Sequence, residues 1–210
     1  MEVRTKLPRP HQWQLGLLAI TILILAFAIF QVILQRADSY TYNGLPYDPP
    51  EMAADFLLID QNNEPFRLSD HRGEVILLYF GFTHCPEACP LTLGVWNQVY
   101  DMLGSKASDV QFVFITIDPE RDTPDQIAQH LSLFNPAFIG LTGSLAEIED
   151  VATDYSVFFQ KVEPETSGDY YLVNHTTLVF LIDQDGYLNL AFPYATGAQE
   201  ILSDLEHLLE

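Results

Sequence analysis

Residues 15–34 read LGLLAITILILAFAIFQVIL, twenty residues without a charge. At ~1.5 Å per residue this is the length needed to cross a bilayer core of ~30 Å. A buried core helix of that length would show a polar face, and this stretch has none. Arg4, Lys6 and Arg9 precede it and acidic residues follow, so the N-terminus, residues 1–14, is expected to stay cytoplasmic. The competing reading is a cleaved signal peptide, with Ala26-Phe27-Ala28 as a weak cleavage site. Signal-peptide apolar cores run about 7–15 residues, and this run continues past Ala28, which favours an uncleaved single-pass anchor. No Arg/Ser-rich presequence stands before it, which favours a bacterial cell membrane over a mitochondrial one. Any folded domain must therefore be built after the anchor, on the extracytoplasmic side.

Composition narrows what that domain does. Beyond Arg36 there are 28 Asp and Glu against 5 Lys and Arg, a net charge of −23. Nucleic acid is excluded as a partner, because binding it needs a basic face to neutralise phosphates. Two cysteines are too few for a disulfide scaffold or a four-cysteine metal site. A chain of 210 residues does not need a disulfide for stability, so the pair is free for chemistry.

The pattern after the anchor predicts a mixed α/β domain over residues 51–210, joined by a tether at 35–50 that is rich in Tyr, Asn, Gly and Pro. Stretches 54–59 and 65–68 flank Gln61-Asn62-Asn63-Glu64, a hairpin signal. The unbroken apolar run at 75–82, VILLYFGF, suits a central strand covered on both faces. A helix is expected from Pro90 to about Leu103 and a second buried strand at 110–117. Thr123-Pro124 is an N-cap followed by Pro, opening a helix to about Leu133. A short strand is expected at 138–141, and Ser144 caps a helix to about Asp154. Residues 155–162 are expected to pair with the tract that follows them. Stretches 177–183 and 187–192 flank Asp183-Gln184-Asp185-Gly186, an antiparallel hairpin, before an amphipathic helix at 198–209. A hairpin, then βαβα, a small insertion and ββα is the thioredoxin-like order.

The chemistry concentrates at Gly81-Phe82-Thr83-His84-Cys85-Pro86-Glu87-Ala88-Cys89-Pro90, directly after a buried strand and before a helix. Pro90 fits a helix's first turn, which places Cys89 at or just before the N-terminus and Cys85 in the preceding turn. Orphan amides and the helix dipole there favour thiolate. Two such thiols can form a disulfide or hold one metal ion. Thioredoxins carry two residues between their cysteines, and here there are three. A peroxiredoxin would need a Pro upstream of the nucleophile, and none occurs between Glu74 and Cys85.

Of six histidines, His11 precedes the membrane span, and His130 and His207 sit on amphipathic helices as surface groups. His71 is expected to face solvent, and His84, adjacent to Cys85, to tune the site or lie at the surface. His175 differs. It lies in Tyr170-Tyr171-Leu172-Val173-Asn174-His175-Thr176-Thr177, just before an apolar strand. In thioredoxin-like proteins this loop faces the cysteines and usually carries a cis-proline. Here His175 occupies the place. Two thiolates and an imidazole make a soft three-ligand set suited to copper, whereas structural zinc would want a fourth ligand.

These residues resemble the Sco/SenC family over about residues 50–208. The resemblance rests on the cysteine motif, on Ile117-Asp118-Pro119-Glu120-Arg121-Asp122-Thr123-Pro124 and on Asn174-His175-Thr176. It implies a thioredoxin-like fold with copper, as Cu(I) or Cu(II), held by Cys85, Cys89 and His175. It implies a metallochaperone that helps assemble the CuA centre of cytochrome c oxidase, with the CuA subunit as partner. Another copper donor or a thiol reductase would be further partners. The alternative it leaves open is a thiol–disulfide oxidoreductase in which Cys85 and Cys89 are a catalytic redox pair acting on the CuA cysteines. The family commonly has Asp before the histidine, and this chain has Asn174. The segment 118–123 is typical of the family, and its plain reading is a strand end followed by a helix cap; the functional reading puts Asp118 behind the ligands or at a docking face.

Overall fold

A computed structural model of the chain describes residues 12–36, 40–162 and 171–209. The expected cytoplasmic segment therefore lies mostly outside the described residues, as do His11, Tyr170 and part of the expected tether. The chain divides into two compact units, 1–41 and 42–210.

The first unit contains one helix, α1 (Gln12–Arg36). Its stretch Gln14–Gln31 is long and apolar enough to cross a bilayer and is wholly exposed. Unpacked apolar side chains such as Leu23 and Phe27, each more than 60% exposed, suit lipid rather than water.

The second unit is built, in chain order, from β1 (Leu45–Met52), β2 (Leu57–Asp60), β3 (Pro65–Arg67), β4 (Val75–Gly81) and α2 (Ala88–Leu103). These are followed by β5 (Val110–Thr116), α3 (Pro124–Ser132), β6 (Ile139–Thr142), α4 (Leu145–Asp154) and β7 (Phe159–Val162). Then come β8 (Leu172–His175), β9 (Val179–Ile182), β10 (Tyr187–Phe192) and α5 (Ala198–Leu208). Eight strands form one sheet in the order β1-β10-β9-β4-β5-β6-β2-β3, and β7-β8 form a separate two-stranded ladder.

Every residue of β4 is buried. It pairs in parallel with β5, from Val75↔Val110 to Gly81↔Thr116, and antiparallel with β9. A strand hydrogen-bonded on both sides and covered on both faces has no place for a polar side chain, which is why its sequence is a continuous apolar run. Alternation sends Tyr79 and Phe80 to opposite faces. Tyr79 meets Trp96 of α2, which also packs against Phe112 and Phe138. Phe80 meets Tyr155 and Phe180. Each such ring taken out of water contributes roughly 1.5–3 kcal/mol.

The capping expectations hold at atomic level. Thr123 accepts from the Gln126 amide, with Pro124 as the first residue of α3. Ser144 and Glu147 cap α4 reciprocally. The β2-β3 hairpin forms, and it joins the main sheet through Ile59↔Thr142. The thioredoxin-like order is therefore present, widened on one side by this hairpin and on the other by β1.

The tether is the main correction. Residues 45–50 of the expected 35–50 linker belong to β1, which pairs antiparallel with β10. Pro46, Pro49 and Pro50 made this stretch resemble a loop. They are tolerated because β1 is an edge strand, where a missing N–H need not break a ladder. Ahead of it, the Asn43 and Gly44 amides donate to the fully buried Asp204 carboxylate of α5, at 2.9 and 2.8 Å.

Candidate metal centre

β4 delivers the chain to the cysteine loop. At its last residue, Gly81, an added Cβ would stand 2.7 Å from a Phe114 ring carbon and 2.9 Å from the Cys89 sulfur. Only glycine lets the sulfur lie this close to the strand. The Cys85 amide turns back onto the Phe82 carbonyl at 3.2 Å. α2 then begins at Ala88, two residues earlier than Pro90 had suggested. Cys89 thus lies inside the first turn, and Pro90 remains within the part of a helix that tolerates it. Cys89 is fully buried and Cys85 is 9% exposed. Both are free thiols.

β8 delivers the imidazole. His175 is its last residue and pairs with Phe159. The Thr176 amide bonds the Phe158 carbonyl at 2.9 Å, and the Phe158 amide bonds the Thr176 hydroxyl at 3.1 Å. His175 Nδ1 lies 2.8 Å from the Thr176 carbonyl oxygen. A carbonyl only accepts, so Nδ1 carries the proton and Nε2 presents its lone pair. That nitrogen stands 3.9 Å from Cys89 Sγ. The ring is held edge-on against Tyr79 and Phe82.

The ligand-type atoms of Cys85, Cys89 and His175 all lie within 4.8 Å of one another. The two thiols differ sharply in acidity. Cys85 is pulled down to about 3, first by its hydrogen bond from Cys89, then by His175 and the Cys89 and Glu87 amides, against burial. Cys89 is pushed well above the ordinary thiol range by burial and by the neighbouring Cys85 charge. The pair therefore carries one negative charge and one proton at neutral pH. The Tyr79 hydroxyl donates to Cys89 at 3.6 Å, and burial raises that tyrosine too. Metal ligation requires the thiolate form, so binding an ion through both sulfurs would release the Cys89 proton.

The other histidines are elsewhere. His84 is exposed and turns to Thr83 and Asp122, at 2.9 and 3.7 Å from Nδ1. His71 is half-buried, not solvent-facing, with Nδ1 2.9 Å from Glu74 and its ring stacked on Phe66. His130 is likewise half-buried, packing against Phe114 and Phe134 because α3 turns that position inward. Burial holds it below the ordinary imidazole range. His207 is half-buried and sets its ring edge against Tyr42.

Of the residues that support the ligands, sequence reasoning points to Asp118 and misses Tyr79, Phe82, Asp122 and the partners that Asp118 meets. Tyr79 and Phe82 were read as core only, although alternation along β4 placed Tyr79 on the α2 face. Asp122, fully buried, accepts from the Thr83 amide and hydroxyl and from Thr116. Asp118, also fully buried, accepts from Tyr171 and Arg121. Nothing local in the sequence marks these long-range pairs. An open groove over the cysteines is lined by Phe82, Pro86, Glu87, Leu172 and Asn174 among others.

Comparison with known proteins agrees with this geometry. A family model described as SCO1/SenC matches residues 46–210. An SCO2-like protein of Rickettsia conorii is 34% identical over 194 residues, covering 91% of this chain and 95% of that protein. The structure of Bradyrhizobium japonicum ScoI with copper bound superposes with a TM-score of 0.69 at 37% identity, over 75% of this chain and 99% of that one. Apo Sco1 from Thermus thermophilus gives a TM-score of 0.72 at 34% identity, over 81% of this chain and 99% of that one.

Proposed function

The chain belongs to the SCO1/SenC family, and from that premise we propose that it is a membrane-anchored copper carrier that helps assemble the CuA centre of cytochrome c oxidase. Copper is its cargo. The observation that carries this reading is the convergence of two thiols and one imidazole nitrogen within 4.8 Å, a donor set suited to Cu(I) and also able to hold Cu(II). A relative of similar fold, ScoI of B. japonicum, was solved with copper bound.

The residues divide the work. Cys85, at the mouth of the groove and already a thiolate, makes first contact with an incoming ion. Cys89 gives up its proton as the ion enters. His175, its tautomer fixed by the Thr176 carbonyl, offers Nε2. Release to the CuA subunit proceeds by exchange of these ligands for those of the partner. On this reading α1 is a single-pass anchor with a cytoplasmic N-terminus, and the domain works on the extracytoplasmic side of a bacterial membrane.

The reduced full-length chain in detergent should bind one copper, a stoichiometry that the double change Cys85→Ser with Cys89→Ser abolishes. Full copper loading of that double variant would sink the assignment.

A second reading is favoured by one observation. A low-pKa thiol lining an open groove beside a fully buried, protonated one is also the arrangement of a thiol–disulfide reductase, here acting on the CuA cysteines. His175→Ala separates the two. It should abolish tight copper binding while leaving reduction of a small-molecule disulfide nearly unchanged.

A further inference from the structure

The loop between β5 and α3 supplies no ligand, yet both halves of the thiol–imidazole group rest on it. Its carboxylates Asp118 and Asp122 are fully buried. Asp122 holds one half, accepting from the Thr83 amide at 2.9 Å and the Thr83 hydroxyl at 2.5 Å. Thr83 is two residues before Cys85. Asp118 holds the other half. It accepts the Tyr171 hydroxyl at 2.6 Å and pairs with Arg121 Nε. Tyr171 stands immediately before β8, the strand that ends in His175.

Arg121 grips the same segment in two ways and touches the cysteine side in a third. Its Nη1 donates to the Tyr171 carbonyl at 3.1 Å. Its guanidinium carbon lies 3.6 Å from the centroid of the Tyr171 ring. It also lies 5.9 Å from the centroid of the Phe82 ring, which in turn meets the His175 ring. Lys161 of β7 lies 4.8 Å from the Tyr171 centroid and pairs with Glu120 at 2.6 Å. Residues 118, 120 and 121 thus all reach the β7-β8 ladder. A two-stranded ladder is marginal alone, and this one lies outside the main sheet. These polar contacts join the packing of Val173 in the core in placing the ladder against the cysteines.

We propose that Asp118, Arg121 and Tyr171 form a clasp that sets His175 against Cys89, making them positioning residues for the metal centre rather than ligands. The inference rests on the copper reading above. Arg121 is largely covered and Asp118 fully buried, so separating the pair would leave the buried Asp118 charge uncompensated. Tyr171 is the clasp's member on the hairpin side, and its hydroxyl and ring meet separate parts of the clasp, Asp118 and Arg121.

The test uses the full-length chain in detergent. Tyr171→Phe removes the hydroxyl bond to Asp118 and keeps the ring against Arg121. Arg121→Leu removes the fork, and should that variant fail to fold, Tyr171→Phe carries the test. Three quantities are read: Cu(I) affinity by chelator competition, imidazole nitrogen hyperfine coupling in the Cu(II) EPR spectrum, and the midpoint potential of the Cys85–Cys89 pair. Supporting contacts behind metal ligands typically change affinity by about ten- to a hundredfold. Tyr171→Phe should therefore weaken Cu(I) binding about tenfold and alter the nitrogen coupling, with the disulfide potential unmoved. Added to His175→Ala it should cost nothing further. Unchanged affinity and coupling, or an equal loss in the His175→Ala background, overturns the clasp. Normal copper binding by the unaltered chain with an indifferent Tyr171→Phe overturns the clasp alone. Failure of the unaltered chain to bind copper overturns the reading beneath it.

Discussion

The sulfur of Cys89 lies 2.9 Å from the point where a Cβ on Gly81 would stand. The end of the central strand and the buried ligand are thus packed without room for a methyl group. The same point is 2.7 Å from Phe114 and 2.9 Å from Tyr79, both fully buried rings, so the neighbours cannot simply turn aside.

Gly81→Ala should therefore lower stability by roughly 1–3 kcal/mol, the usual cost of overpacking, and weaken Cu(I) binding by displacing Cys89. Gly94, inside α2 with nothing within 4 Å of an added Cβ, is the control. Gly94→Ala should stabilise by about 0.5–1 kcal/mol through helix propensity. Urea denaturation and chelator competition on both variants check the contrast. Equal stabilities would mean that the strand end has slack.

The acidities of the two thiols predict the pH dependence of alkylation in the reduced, metal-free protein. Cys85 is depressed from the ordinary 9.0 to about 3, so its thiolate persists as pH falls from 9 and is lost only as pH approaches 3. Cys89 is raised and should stay protonated and unreactive above pH 9. Iodoacetamide should modify one thiol at a rate nearly flat between pH 5 and 9, with Cys85 identified by peptide mapping. The same shift has a sign for stability. A thiolate favoured in the fold contributes stability that is fully present above pH 9 and is lost as pH falls toward 3. Two thiols that titrate together near 9 would contradict this division.

Oxidation should switch the site off. Cys89 N–H already points at Cys85 Sγ at 3.4 Å, and three intervening residues keep the sulfurs close enough to join. Mild oxidation should give an intramolecular disulfide, with loss of the Cys89 proton and two electrons to the oxidant, removing both sulfur ligands and leaving His175 alone. Cu(I) affinity should then fall by orders of magnitude. Chelator competition on the reduced and oxidised forms reads the coupling, and equal affinities would break it.

The charge of the domain predicts a salt effect on transfer. Of the five cations beyond Arg36, Arg67, Arg121 and Lys161 are committed to Asp55, Asp118 and Glu120, and the groove carries Glu87. The surface offered to a partner is negative, and a basic partner surface is the complement. Such steering acts on the association rate and is screened over ~8–10 Å at ordinary ionic strength. Copper transfer to a true partner should slow as salt rises, with the dissociation rate nearly constant. A rate independent of salt would leave solubility as the role of the charge.

Local signals were read well because their causes are local. The burial of 75–81 shows as an uninterrupted apolar run, and the caps at Thr123 and Ser144 show as single residues before their helices. The Cys85–Cys89 spacing and its place between strand and helix were equally plain. His175 lies 86 positions from Cys89, and only the loop that faces the cysteines in such a fold connects the two. What escaped was non-local or disguised. Asp204 meets Asn43 across 161 positions and Tyr171 meets Asp118 across 53, with no pattern to announce either. β1 escaped because three prolines in eight residues read as a loop unless its position at the sheet edge is known.

Those prolines also restrict how anything can approach the molecule. At one margin of the eight-stranded sheet, Pro46, Pro49 and Pro50 interrupt the row of amides that an incoming strand would need. At the other margin, β3 is three residues long and opens with Pro65. Backbone-to-backbone augmentation, the commonest sequence-blind way for a sheet to acquire a partner or a second copy of itself, is closed at both margins. Recognition along these two margins is thereby left to side chains rather than to the backbone.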